Sequence, residues 1–351
     1  MSDDIFDPAR YYRLSISPED RERLPYYSAL VDTLADSSLA CQLLAEARPE
    51  QRNPMLVLAA LHYHALRADH DLAPLYTDMA ALTPDAFAHA VTAVLERRPS
   101  LVRGELHRST QTNEPGRSAV LATILGELSG RGVSDVHLID VGTSMGLNLY
   151  PDYYRVNEDD TEGVVLTMEY LGEHQTSSPL PRIHQRIGID LNPLDPENAD
   201  DVLWLKACLW PEQPERIARF DEVLDEMVLW PKATRLRGSA VDLIDEALEL
   251  CGPEAMPVIF HSWAAAYFSP EDQVHWRERI MSHVRTRALW VYFEHPWCVK
   301  SLEPPAATAA SPRAGASQIV VCELGDDPAH WGWAHSHGRW ISFSPPPARA
   351  R

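Results

Sequence analysis

The sequence predicts an α/β protein: a mostly parallel twisted sheet with helices on both faces, preceded by an N-terminal helical region. Three observations predict it. Beyond residue 115, short β-rich runs alternate with helical stretches, the arrangement that gives parallel sheets covered on both faces. Before residue 115, apolar residues recur at helical spacing instead. A glycine turn, Gly142-Thr143-Ser144-Met145-Gly146, then follows the apolar run "VHLIDV", where such a fold places its ligand-binding turn. The expected division is residues 1–115 for the helical region and 116–351 for the sheet domain.

In the first part, "YYSALVDTLADSSLACQLLAEA", "PMLVLAALHYHAL" and "PDAFAHAVTAVLERR" predict at least three helices. Pro54 and Pro84 suit helix starts, because proline in the first turn gives up no hydrogen bond. In the second part the predicted strands are "VHLIDV", "IGIDL", "ATRLRG", "MPVIFHSW", "ALWVYFE", "QIVVCEL" and "RWISFS". The last two, with Gly and His between them, are expected to form an antiparallel hairpin at the sheet edge. "LWPEQPERIARF" predicts a helix with a proline-marked entry and charges facing solvent. Pro304 to Ala316 and the tail "SPPPARAR" are expected to be flexible connections.

Composition excludes several functions. The net charge of -20, from 51 acidic against 31 basic residues, repels a phosphate backbone, so no nucleic-acid partner is expected. Met1-Ser2-Asp3-Asp4 opens with acid where a signal peptide carries base, and no apolar stretch reaches the roughly 18 residues of a spanning helix. A cytoplasmic protein without membrane contact is expected. Cys41, Cys208, Cys251, Cys298 and Cys322 lie far apart with no C-x-x-C pair, the pattern of reduced, buried thiols. His62 and His64 do not share a helix face, and His335 and His337 share one only in a strand; no metal site is expected. Trp204, Trp210, Trp230, Trp263, Trp290 and Trp297 lie beside apolar positions and are expected to fill cores.

The candidate site lies at the carboxyl ends of the strands, where open α/β sheets bind ligands and where a turn with a helix N-terminus offers N–H donors. Gly142, Ser144 and Gly146 fall on that turn, with Asn148 just after it. Asp140 precedes it, and Asp190 ends the following strand, where a carboxylate can accept from both ribose hydroxyls. Ser239, Asp242, His261 and Ser262 line the same rim. Gln111, Thr112, Asn113 and Glu114 form a polar run before Pro115-Gly116-Arg117 and a helix near Ser118. They are read either as a loop that closes over a ligand or as a helix cap. Arg117 pairs with Glu114 or clamps a substrate carboxylate, and Glu114 and His261 are the candidate catalytic groups, His261 as general base.

The turn also fits G-x-S-x-G, the nucleophile turn of α/β-hydrolases. That reading needs an acid, a later histidine and a glycine-rich oxyanion loop. Asp242, His261 and His295 are available for the first two, and no such loop precedes Ser144.

"QTNEPGRSAVLATIL", "VGTSMGLNLYPDYY", "RIGIDLNPLDPENADDVLWLKACLWPEQPERIARF" and "VIFHSWAAAYF" together resemble the DUF2332 family of bacterial proteins over nearly the whole chain. The resemblance implies a Rossmann-like sheet similar to class I S-adenosylmethionine-dependent methyltransferases. In that pattern Gly142 to Gly146 correspond to the glycine turn, Asp190 to the ribose acid and Ser239 to Asp242 to the adenine side. Ser144 stands where the middle glycine of E/D-x-G-x-G-x-G would be. The leading expectation is S-adenosylmethionine binding and methyl transfer to a small molecule. A serine hydrolase using Ser144 and a non-catalytic ligand-binding protein stay open.

Overall fold

A computed structural model describes residues 6–158 and 162–348. The acidic opening Met1 to Asp4 and the last residues of the tail lie outside the described residues. The chain divides into two units, residues 1–112 with 195–221, and residues 113–194 with 222–351.

In the first unit the helical spacing becomes the helices Pro25–Asp36, Ser38–Glu46, Pro54–Leu66 and Pro84–Arg97. The first run splits in two because the Ser37 side chain accepts from the Ala40 N–H and starts a new helix. Pro54 and Pro84 stand first in their helices, behind the side-chain caps Asn53 and Thr83. The helix Pro25–Asp36 has no cap of its own. Instead the Glu212 carboxylate accepts from Tyr26 N–H and Tyr27 N–H, both at 2.8 Å, where orphan donors and the helix dipole favour an anion. This contact ties the 195–221 segment into the helical unit. Leu30, Leu34, Leu44, Leu58, Phe87 and Trp204 are buried in one core. His62 meets the Ala207 carbonyl, while His64 meets that of Leu101; burial pushes the His62 pKa down to about 4.

The second unit carries the strands β1 (Asp135–Val141), β2 (Arg155–Val156), β3 (Val165–Leu166), β4 (Glu169–Tyr170), β5 (Arg182–Asp190) and β6 (Thr234–Arg237). They continue with β7 (Met256–Ser262), β8 (Leu289–Glu294), β9 (Ser317–Cys322), β10 (Ala329–Ala334) and β11 (Trp340–Phe343). Among the described residues nine of them form one sheet in the order β4-β11-β10-β9-β8-β7-β1-β5-β6, while β2 pairs with β3. The run β6-β5-β1-β7-β8 is parallel throughout. From β1 the chain moves outward through β5 and β6, then returns to lay β7 and β8 on the other side. The strand order reverses at β1, which makes its carboxyl end the switch point. One face of the sheet buries Ile139, Val141, Ile189, Ile259 and Trp290 against the helices Ala240–Glu249 and Pro270–Val284, through Ile244, Ala247, Trp276 and Ile280.

The structure corrects three sequence expectations. "QIVVCEL" and "RWISFS" are not a hairpin, because β10 lies between them and pairs antiparallel with both. "AHWGWA" is not among the expected strands, and Gly332 at φ 140 lets the neighbouring strand approach: a Cβ there would sit 2.1 Å from the Ser342 carbonyl oxygen. That edge of the sheet is β4, parallel to β11. Third, Trp297 is 60% exposed rather than core, since it stands in the 3-10 turn Pro296–Cys298 beyond the end of β8.

Between β1 and β5 the described residues contain no α-helix, only the 3-10 turn Leu147–Leu149. The segment is held by side chains instead. Arg186 on β5 makes a two-pronged pair with Asp152 at 2.8 and 2.6 Å. Its guanidinium lies 4.9 Å from the Tyr150 ring and 5.3 Å from that of Tyr153, and Trp230 packs against Tyr150, Tyr153 and Tyr154.

No helix among the described residues is long and apolar enough to cross a membrane.

Candidate functional site

The glycine turn leaves β1 in a left-handed conformation, with φ of 76 at Gly142, 54 at Ser144 and 88 at Gly146. Glycine enters this region freely, whereas an L residue such as Ser144 is strained by about 1–2 kcal/mol. The end of β5 holds the turn in place. Ile189 carbonyl accepts from Gly142 N–H at 2.8 Å and from Thr143 N–H at 3.3 Å. Asp190 Oδ2 accepts from Ser144 N–H and its Oδ1 from Asn192 N–H, both at 2.8 Å. Burial pushes the Asp190 carboxyl above the usual carboxylate range, and those two N–H bonds oppose the rise. Gly188 is where Thr143 packs onto β5, since a Cβ there would lie 2.5 Å from Thr143 Cγ2.

Among the described residues no α-helix starts after this turn before β5, and another helix N-terminus takes its place. The helix Arg117–Gly130 precedes β1 in sequence, and its first residues lie at the turn that follows the strand. Its start is stitched to the turn region: Asn113 Oδ1 accepts from Leu147 N–H at 3.0 Å, and Ser118 Oγ donates to Asn148 Oδ1 at 3.0 Å. Arg117 reaches the Ser262 carbonyl at 3.2 Å and that of Ser336 at 2.9 Å. Buried Glu114 accepts from the N–H of Gly116, the residue just ahead of the helix, at 3.1 Å. Asn113, Glu114, Arg117, Asn148 and Ser262 are thus brought to one rim with Gly142, Ser144 and Gly146. Gln111, half-buried, and Thr112, exposed, belong to the first unit, so the polar run is divided after Thr112. Asp242 is exposed in the first turn of the helix Ala240–Glu249. No side-chain hydrogen bond links it to the glycine turn among the described residues.

Asp140 alternates to the face opposite Ile139 and Val141. It is 3% exposed, and among the described residues its Oδ2 has no hydrogen-bond partner. Desolvation pushes its pKa up to about 7, against the pull of the Thr143 hydroxyl and Arg117, with Asp190 adding repulsion. Because the folded pKa lies above the unfolded carboxyl value of about 3.9, the folded state holds more protons between these values. Stability therefore declines as pH rises from about 4 to about 7. Replacing Asp140 with Asn should remove that decline, so urea midpoints for Asp140→Asn and wild type should diverge in favour of the variant as pH goes from 5 to 8. Parallel pH profiles would show that Asp140 does not titrate in this range.

His261, next to last in β7, faces the aromatic side of the sheet, stacked on Tyr292 at 5.1 Å and beside Trp276 and Trp290. It is 1% exposed, and its Nδ1 bonds Glu294 Oε1 at 2.8 Å. Glu294 carries no solvent exposure and was not singled out in the sequence. The available signal was an acid closing the otherwise apolar run "ALWVYFE". His335 and His337 lie in a turn rather than a strand, with His337 N–H donating to His335 Nδ1. Cys298 and Cys322 are buried and the other three cysteines half-buried. Burial pushes the thiols of Cys208, Cys298 and Cys322 up to about 12, and that of Cys251 up to about 11, which leaves them inert near neutral pH.

The pattern described as an uncharacterized protein conserved in bacteria, DUF2332, matches residues 10–343. The chain belongs to the DUF2332 family. No curated protein matches it. In this DUF2332 chain the matched region takes in both units and every rim residue named above.

Proposed function

We propose that the second unit binds S-adenosylmethionine at the β1 rim and transfers its methyl group to a small molecule. One observation carries this reading: a left-handed glycine turn at the switch point of a parallel β6-β5-β1-β7-β8 sheet, clamped by the acid that ends β5. The rim suits such a nucleoside. Each Asp190 oxygen holds one backbone N–H and keeps a lone pair for a ribose hydroxyl. Asp140 Oδ2 is buried without a partner among the described residues, and the turn has room only for glycine at position 142. When bound, the cofactor supplies a sulfonium-activated methyl group, so the protein's task is mainly alignment. Glu114 and Arg117 are assigned to the acceptor side, Glu114 to take a proton when the acceptor carries one. His261 is committed through Nδ1 to Glu294 and packs among Tyr292, Trp276 and Trp290. The acidic surface argues for a small molecule rather than a nucleic acid.

Calorimetry with S-adenosylhomocysteine tests the reading. Wild type should bind, and Asp190→Ala should lose roughly 1.5 to 3 kcal/mol, the worth of hydrogen bonds to a charged group. Equal binding by both proteins would take Asp190 out of the site.

The strained φ of Ser144 and the Glu294–His261 pair favour a second reading, a serine hydrolase. Stoichiometric labelling of Ser144 by a fluorophosphonate would select it over methyl transfer.

A further inference from the structure

Glu294 closes β8 fully buried, and its Oε1 accepts three hydrogen bonds: from His261 Nδ1 at 2.8 Å, from Ala264 N–H at 3.0 Å and from Ala265 N–H at 3.1 Å. These donors flank Trp263, an L residue held at φ 56. Such a conformation persists only where the surroundings over-determine it, and it concentrates at functional sites. Here one carboxylate oxygen grips the chain before and after the strained residue. The Trp263 indole N–H is fixed separately, on Ser317 Oγ at 2.9 Å.

What this turn supports is the glycine turn. A Cβ built on Gly142 would lie 2.5 Å from the Ala264 Cβ, so the Gly142 backbone rests directly against Ala264. Ala264 in turn is held by Glu294. We infer that Glu294 is a positioning residue for the ligand turn, acting through Ala264 to keep Gly142 to Gly146 in its left-handed form. A carboxylate suits this task because a single oxygen with two lone pairs can gather several donors at once, and burial strengthens each bond. A purely local role would end at the β7 turn. The role inferred here extends across the strand boundary to β1.

The ligand arm of the test rests on the S-adenosylmethionine reading, and the exchange arm does not. Amide hydrogen exchange read by mass spectrometry on the full chain should show peptides spanning Gly142 to Gly146 exchanging about tenfold faster in Glu294→Met. Glu294→Gln, which keeps an acceptor of the same shape, should restore most of the protection. Ala264→Gly removes the contact without touching Glu294 and should loosen the same peptides. This variant decides the matter if Glu294→Met fails to fold. S-adenosylhomocysteine affinity should fall about tenfold in Glu294→Met and in Ala264→Gly, parallel with the exchange rates. Faster exchange confined to Ala264 and Ala265, with Gly142 to Gly146 at the wild-type rate, would overturn the inference. A wild-type protein that does not bind S-adenosylhomocysteine would sink the cofactor reading, while the exchange comparison would still decide the role of Glu294.

Discussion

Gly142→Ala should destabilise the protein by about 2 to 5 kcal/mol and reduce S-adenosylhomocysteine affinity at least tenfold. Two costs add. The left-handed backbone at φ 76 opposes any Cβ by roughly 1–2 kcal/mol. The new methyl would also stand 2.5 Å from Ala264 Cβ, a forced overpacking that typically costs about 1–3 kcal/mol. Relief needs one of the two turns to move, and either movement displaces backbone N–H groups on the ligand rim. Gly132→Ala is the control: its φ is 100, but nothing lies within 4 Å of the added Cβ, so only the backbone strain should appear. Urea unfolding of both variants gives the comparison. If the two lose the same stability, Ala264 does not press on Gly142.

Arg186→Ala should cost about 3 kcal/mol, measured by urea unfolding of the full chain. The guanidinium is nearly buried, forms a two-pronged pair with Asp152 and lies over two tyrosine rings. Breaking a buried pair leaves the remaining charge uncompensated, at about 3–5 kcal/mol. The lower end applies because Asp152 keeps 27% of its side chain in water. Arg186→Lys should recover only part of the loss, since an ammonium cannot grip both oxygens or stack on the rings. The consequence reaches beyond stability. Between β1 and β5, where the described residues hold no α-helix, this cluster supplies the order that a packed helix would otherwise give, so partial proteolysis of Arg186→Ala should begin within residues 150–181. Wild-type resistance there would mean that the segment is held by other contacts.

Some of this protein was legible in its sequence. Aliphatic runs such as "VHLIDV" and "ALWVYFE" are continuous because parallel strands bury both faces, and they became β1 and β8. Pro54 and Pro84 marked helix starts because local stereochemistry, independent of tertiary context, makes proline favourable there. Gly142, Gly146 and Asp190 were legible because a fold-wide rule places glycines and acids at strand ends. Elsewhere the deciding forces act between residues far apart in sequence. β10 was missed because its strand character comes from close backbone approach at Gly332, not from side-chain pattern. Local pattern places a helix N-terminus after the turn, whereas the one at the rim belongs to the helix before β1 and is brought there by contacts with Leu147 and Asn148. Glu294 looked like the polar end of a strand, because sequence spacing says nothing about the three donors that converge on one oxygen.

The sequence by itself therefore determined the α/β class, the helices of the first unit and the position of the glycine turn, all set by hydrophobic periodicity and local backbone preference. Only the tertiary structure decided which groups stand at that turn. It brought Asn113 and Ser118 to Leu147 and Asn148, seated Ala264 on Gly142, and turned His261 into the aromatic face with Glu294. These juxtapositions depend on strand order and on which face each residue alternates to, and neither is encoded in any single stretch of the chain.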